Sequence, residues 1–319
     1  MKPNRFPNET QLLKNLSVPT GPVDVVLDTD AYNEIDDQYA LAYLLRSSDR
    51  LHVKGICAAP FFNQNSSSPA DGMEKSFEEI RHLLFLAGCP ELEPVVFRGS
   101  DRYLPDEQTP VPSDAASFLA GLSESYTPEH PLYVVAIGAI TNVASALLLN
   151  PEIKNRIVVV WLGGHALYMN HTQEFNMAQD VAAARVVFGC GVPLIQLPCL
   201  GVVDVFSTSR YELEHWLKGK NSLCDYLVEH TVREAERYAA GKPWTRVIWD
   251  VTAVAWLLND SDRFMQSCLI PSPIPEYDHH YGQDPTRHLI RSVYRIHRDA
   301  LFEDLFRKLT LPCPPSSLS

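Results

Sequence analysis

Six short apolar runs alternate with longer stretches of helical spacing, and this alternation constrains the fold more than any other feature of the chain. The runs cover 23–28, 52–59, 94–97, 132–138, 156–163 and 193–197, and several are apolar throughout instead of alternating apolar with polar residues. Strands that read this way are covered on both faces, as in a parallel sheet flanked by helices. The intervening stretches 36–46, 70–87, 114–123, 142–149 and 181–190 have the helical period. Together they predict an α/β fold with an open, mostly parallel, doubly wound sheet. Beyond Leu197 the pattern predicts mainly helix, over 207–218, 222–240, 250–258 and 286–309, with Pro271, Pro273 and Pro275 breaking the chain before the last. No linker or internal repeat divides the 319 residues. One domain is expected, with an N-terminal extension over 1–20 and a frayed tail over 312–319.

In such a sheet, ligands bind outside the carboxyl ends of the strands. At the first strand end stand Asp28, Asp30, Glu34, Asp36 and Asp37, five acids within ten residues, followed directly by an amphipathic helix. Acids packed this closely repel one another unless solvent or a cation offsets the cost, and a hard divalent cation is the natural candidate. Asp36 and Asp37 are also placed to cap the helix that follows. A capping loop, however, needs only one or two acids. An Asp-x-Asp after an apolar strand is also the opening of haloacid-dehalogenase-like magnesium phosphatases. That chemistry needs a later Lys and a second acidic pair. Lys154 is available, but no acidic pair ends a later strand.

Other strand ends contribute less. Asn63 follows the second strand and can hold a hydroxyl. Gly138 precedes Thr141 and Asn142, where Thr141 suits a helix cap and the backbone carbonyls can face a cation. Gly163-Gly164-His165 follows the fifth strand, and Glu174 and Asn176 flank Phe175, so both can face one way. Asp250, preceded by Trp249, opens an apolar helix and reads by itself as an N-cap.

Taken together, Leu27-Asp28-Thr29-Asp30, Asp36-Asp37, Gly138 with Thr141-Asn142, Gly163-Gly164, Glu174-Phe175-Asn176 and Asp250 resemble the nucleoside hydrolases, over about 23–258. The resemblance implies calcium-dependent cleavage of a ribonucleoside into ribose and free base. It makes Asp30, Asp37, Asp250 and the Thr141 carbonyl the calcium ligands, with Asp30 removing a proton from a calcium-bound water. It places Asp36, Asn176 and Asp250 on the ribose 2′- and 3′-hydroxyls, and Glu174 and Asn170 on the 5′-hydroxyl. Asn63 corresponds to the family's sugar-binding Asn, and Asp28 to a supporting acid. Two departures stand out. The family's Asp-x-Asp-Pro-Gly-x-Asp-Asp becomes here a stretch two residues longer without Pro-Gly, so the pocket rim must differ. Trp249 stands where the inosine-uridine type carries a leaving-group His, as in the purine-specific members. This implies a base held by stacking, with purine preference. Tyr277, Tyr281 and Trp244 are candidates to complete an aromatic cage, and His165, His171, His279 and His280 are candidate proton donors.

A net charge of -12 disfavours nucleic acid and anionic membranes as partners, and suits a small neutral substrate with acids gathered around a cation. No stretch approaches the ~18 apolar residues of a membrane span, and the N-terminus has no apolar signal core. The seven scattered cysteines, without a Cys-x-x-Cys, predict free thiols and a cytoplasmic setting. The resemblance further implies a homo-oligomer, a dimer or tetramer. A non-catalytic nucleoside- or sugar-binding protein on the same fold is the third reading, since fold alone does not dictate function.

Overall fold

The computed structural model describes residues 9–311. The chain begins with α1 (Glu9–Asn15), β1 (Val23–Thr29), α2 (Asp36–Leu45), β2 (Leu51–Ala58), α3 (Pro69–Ala87) and β3 (Val96–Phe97). It continues through α4 (Asp114–Leu122), β4 (Leu132–Ala136), α5 (Thr141–Leu149), β5 (Ile157–Leu162), α6 (Phe175–Gln179), α7 (Val181–Gly189) and β6 (Leu194–Leu197). The remainder is β7 (Ser207–Thr208), α8 (Arg210–Trp216), α9 (Ser222–Ala239), β8 (Arg246–Val247), α10 (Val251–Trp256), β9 (Met265–Pro271), β10 (Ile274–Pro275), β11 (Tyr281–Gly282), β12 (Leu289–Ile296) and α11 (Arg298–Leu309).

Eight strands form the central sheet in the order β3-β2-β1-β4-β5-β6-β12-β9. All pair in parallel except β9, which runs antiparallel to β12 at one edge. Successive strand residues feed opposite faces. Val25 and Leu27 of β1, with Val158 and Val160 of β5, join one apolar cluster. Val26, Val134 and Val159 join the other. The uninterrupted apolar runs thus mark strands buried on both sides, as the pattern predicts. The direction of winding changes between β1 and β4, so a crevice opens at the carboxyl end of β1. Across it, α10 packs against α2.

The second half corrects the sequence expectation. The stretch 286–309 is not one helix: Leu289–Ile296 is β12, and only Arg298–Leu309 is helical. Apolar residues at 290 and 293 face the core, and β12 is held by parallel β6 and antiparallel β9, so tertiary pairing overrides the local helical reading. The stretch 207–218 begins with the short β7, and its helix starts only after Ser209, whose hydroxyl and Glu212 form a capping box. At the N-terminus, Leu12 and Leu16 pack into the core, while the expected tail over 312–319 lies outside the described residues. Among the described residues, Cys57, Cys190, Cys199, Cys224 and Cys268 are free thiols. No helix there is long and apolar enough to cross a membrane.

Candidate active site

The acids of the first strand end and the distant Asp250 meet at the floor of a cleft of about 300 Å³. Asp36 and Asp37 open α2, and Asp250 immediately precedes α10. Asp250 makes no side-chain capping bond, so for it the simple capping reading does not hold. One carboxylate oxygen from each of Asp36, Asp37 and Asp250 lies within 4.8 Å of the others, and all three residues are buried. Asp30 is fully buried beside them, and neither of its carboxylate oxygens has a hydrogen-bond partner. Gly138, at the end of β4, lets the backbone come this close: a Cβ there would sit 2.9 Å from Asp30 Oδ1.

Burial and mutual repulsion raise these carboxyls together. Burial and then Asp37 push Asp30 well above the usual range, and burial and then Asp36 do the same to Asp37. Asp250 is raised by burial and by Asp36, Asp37 and Asp30. Asp36 reaches about 6, because burial outweighs the opposing pull of Arg246. Buried acids whose charges face one another with orphaned oxygens are short of positive charge. The donors are all oxygen, which fits a hard divalent cation.

The surroundings fix the acids in place. Thr29 donates to Asp37 Oδ1 at 2.5 Å. Asp28, pushed up to about 7 by burial, accepts from Asn142 Nδ2 at 2.8 Å and stands behind the cluster. Thr141 is buried at the start of α5, its hydroxyl committed to Asp180 at 2.7 Å. Asp180 also accepts from the Leu104 and Ala183 amides and so ties three segments together. Glu174 lines the cleft but caps α6, accepting from the Asn176, Met177 and Gly164 amides. Asn176, also in the wall, donates both amide hydrogens to the Ile137 and Leu162 carbonyls. Its side-chain oxygen remains to accept a hydroxyl.

Other predicted residues fall differently. Trp249 is half-buried and lines the cleft with His165 and His171, whose rings meet edge-on at 5.5 Å. Asn63 is not in the cleft wall; it donates to Asn33, which is. Asn170 is exposed and outside the wall. Trp244 lines a separate cavity with Arg210 and Tyr211. Tyr277 is exposed against Arg185, and Tyr281 is engaged by Gln196, so neither completes an aromatic cage with Trp249. His279 and His280 do not line the cleft. Lys154 precedes β5, at the amino end of the parallel strands and so opposite the acids at their carboxyl ends, and its amine donates to the Cys190 carbonyl. The phosphatase reading thereby loses its cation. Sequence reasoning missed Asn33, Asp180 and Arg246, which gain meaning only through long-range contacts.

Residues 25–283 match the profile of the family described as inosine-uridine preferring nucleoside hydrolase. The chain is 30% identical over 165 residues to a probable uridine nucleosidase 2 of Arabidopsis thaliana, a match covering 50% of this chain and 48% of that protein. The chain thus spans about half the length of this curated relative. Among solved structures, a plant nucleoside hydrolase aligns with a TM-score of 0.71 at 20% identity, covering 91% of this chain and 100% of that one. A purine-preferring ribonucleoside hydrolase from Gardnerella vaginalis aligns at 0.70 and 20% identity, covering 90% and 98%.

Proposed function

The chain belongs to the inosine-uridine preferring nucleoside hydrolase family, and from that premise we propose that it hydrolyses the N-glycosidic bond of ribonucleosides, calcium-dependently and with purines preferred. The observation that carries this reading is the buried cluster of Asp36, Asp37 and Asp250 in the cleft, with Asp30 fully buried beside it and both Asp30 oxygens unpartnered. Asp30, Asp37, Asp250 and the Thr141 carbonyl would hold the cation. When bound, it supplies positive charge that lowers the pKa of a nearby water.

The protein's own groups carry the rest. Asp30 takes the proton from the attacking water. Asp36, Asp250 and the Asn176 oxygen receive ribose hydroxyls and fix the ring, an orientation effect that can supply much of the rate. The carboxylates beneath the ring stabilise the cationic sugar formed as the bond breaks. Glu174 already carries three backbone donors, so its carboxylate can meet a 5′-hydroxyl only as a shared acceptor. Trp249 offers an indole face to the base. His171, in the exposed rim of the cleft, accepts from the Gln173 amide on Nδ1. With Nδ1 accepting, Nε2 is the ring nitrogen left to donate to the departing base.

The test is Asp30→Asn at full metal occupancy, checked by calorimetry. We expect kcat to fall by about 10²–10⁴-fold with the fold intact. Near-native kcat in the loaded variant would remove Asp30 from the base role.

A further inference from the structure

Arg246 has no part in the chemistry above, yet it is the cation closest to the acid cluster. It stands on β8, four residues before Asp250, with only 14% of its side chain exposed. Its Nη2 lies 2.6 Å from Glu34 Oε2, 3.4 Å from Asp36 Oδ1 and 4.0 Å from Glu234 Oε2. Glu34 belongs to the longer first loop and Glu234 to α9. One guanidinium therefore joins that loop, a helix and the strand leading to Asp250. It does not line the cleft itself.

The placement bears on how the acids divide their work. Asp36 and Asp37 are neighbours in the chain, and both reach Asp250. If they were equivalent, either could take the cation or the sugar. Their partners differ: Asp37 accepts a neutral hydroxyl from Thr29, whereas Asp36 faces a guanidinium. A positive charge on one oxygen of Asp36 makes it a poorer ligand for a second cation. Asp36 still lines the cleft, where its carboxylate can accept from a sugar hydroxyl.

We propose that Arg246 is a positioning residue that reserves Asp36 for the substrate's sugar hydroxyls, and that Glu34 of the longer loop and Glu234 of α9 hold Arg246 in that role. The inference rests on the nucleoside hydrolase reading and extends it. It gives the two-residue-longer acidic loop a purpose: it delivers Glu34 to the far side of the guanidinium. Of the four aspartates Arg246 contacts only Asp36, so its loss should separate sugar binding from cation binding.

The experiment compares Arg246→Met, Arg246→Lys and Glu34→Gln with the native chain. Ribose and calcium affinities are measured by calorimetry, KM and kcat with inosine, and Tm by thermal denaturation. For Arg246→Met, ribose affinity should weaken and KM rise about 10-fold or more, kcat should fall less, and calcium affinity should be retained or increased. Arg246→Lys should recover part of the loss, and Glu34→Gln should shift KM in the same direction by less. Native KM and ribose affinity in a folded Arg246→Met protein with lowered Tm would reduce Arg246 to a structural tie and overturn the proposal. Loss of calcium binding together with ribose binding would overturn it too. If Arg246→Met does not fold, Glu34→Gln decides, and an unchanged KM and ribose affinity there refutes the proposal. A native chain that releases no ribose but binds it refutes the hydrolase reading alone, and calorimetry of the variants still tests Arg246. A native chain that does neither overturns both.

Discussion

Asp36→Asn should make the metal-free protein more stable. The Asp36 carboxyl sits at about 6 in the folded chain, against 3.8 for the unperturbed group. Being raised, it favours folding only when protonated, and the penalty grows as pH climbs through that range. At pH 8 the full difference applies, about 3 kcal/mol. Asn carries no charge to bury, so it escapes this cost while keeping nearly the same shape. Allowing for the weakened contact with Arg246, the gain should be about 1–3 kcal/mol, or about 2–6 °C in Tm for a chain of this size. It should shrink to about a third by pH 4.5, where native Asp36 is protonated in the fold and partly so in the unfolded chain. The assay is thermal denaturation of both proteins in chelator across that pH range, with ribose binding measured in parallel. The same variant should lose sugar affinity, a trade of function for stability. If Asp36→Asn is less stable than native at pH 8 in chelator, the acids are structural supports and the reasoning fails.

Two further expectations concern the base and the cation. Trp249→Ala should lower kcat/KM more for inosine than for uridine, by ~1–3 kcal/mol if indole–base stacking resembles that in nucleic-acid binders; equal losses, or a native preference for uridine, would return attention to His165 and His171. The stabilisation that calcium adds to Tm should be larger at pH 8 than at pH 5.5, because protons compete for the raised carboxyls of Asp30, Asp37 and Asp250; a calcium increment independent of pH would contradict a site built from these groups.

How much of this was legible in the sequence depended on whether the signal was local. The doubly wound sheet could be read because strands buried on both faces leave uninterrupted apolar runs. The first acid loop could be read because five carboxylates at one strand end are more than a helix cap can use. Taken alone, Asp250 reads as a helix cap, and only the family resemblance gave it a role at the site. Its absent capping bond and its meeting with Asp36 and Asp37 come from the packing of α10 on α2. β12 was hidden because its apolar residues run straight into those of α11, and a strand paired with β6 and β9 has no local partner to reveal it. Arg246 was invisible for a similar reason, since its partners Glu34 and Asp36 lie more than two hundred positions away. Aromatic residues misled in the opposite direction: Trp244 and Tyr277 are candidates for a cage around the base, but they face another cavity and the solvent.

The central claim is that buried Asp30, Asp37 and Asp250 hold a divalent cation beside the sugar-binding Asp36, and that this cluster cleaves a nucleoside. The most direct test is release of free ribose from inosine, guanosine, adenosine, cytidine and uridine by the native chain, before and after exhaustive chelation and after calcium is restored. The account predicts ribose and free base in equal amounts, fastest from the purine nucleosides, lost with chelator and recovered with calcium. Unchanged turnover in chelator would contradict the metal site, and absence of ribose from every nucleoside, with calcium demonstrably bound, would contradict the hydrolase itself.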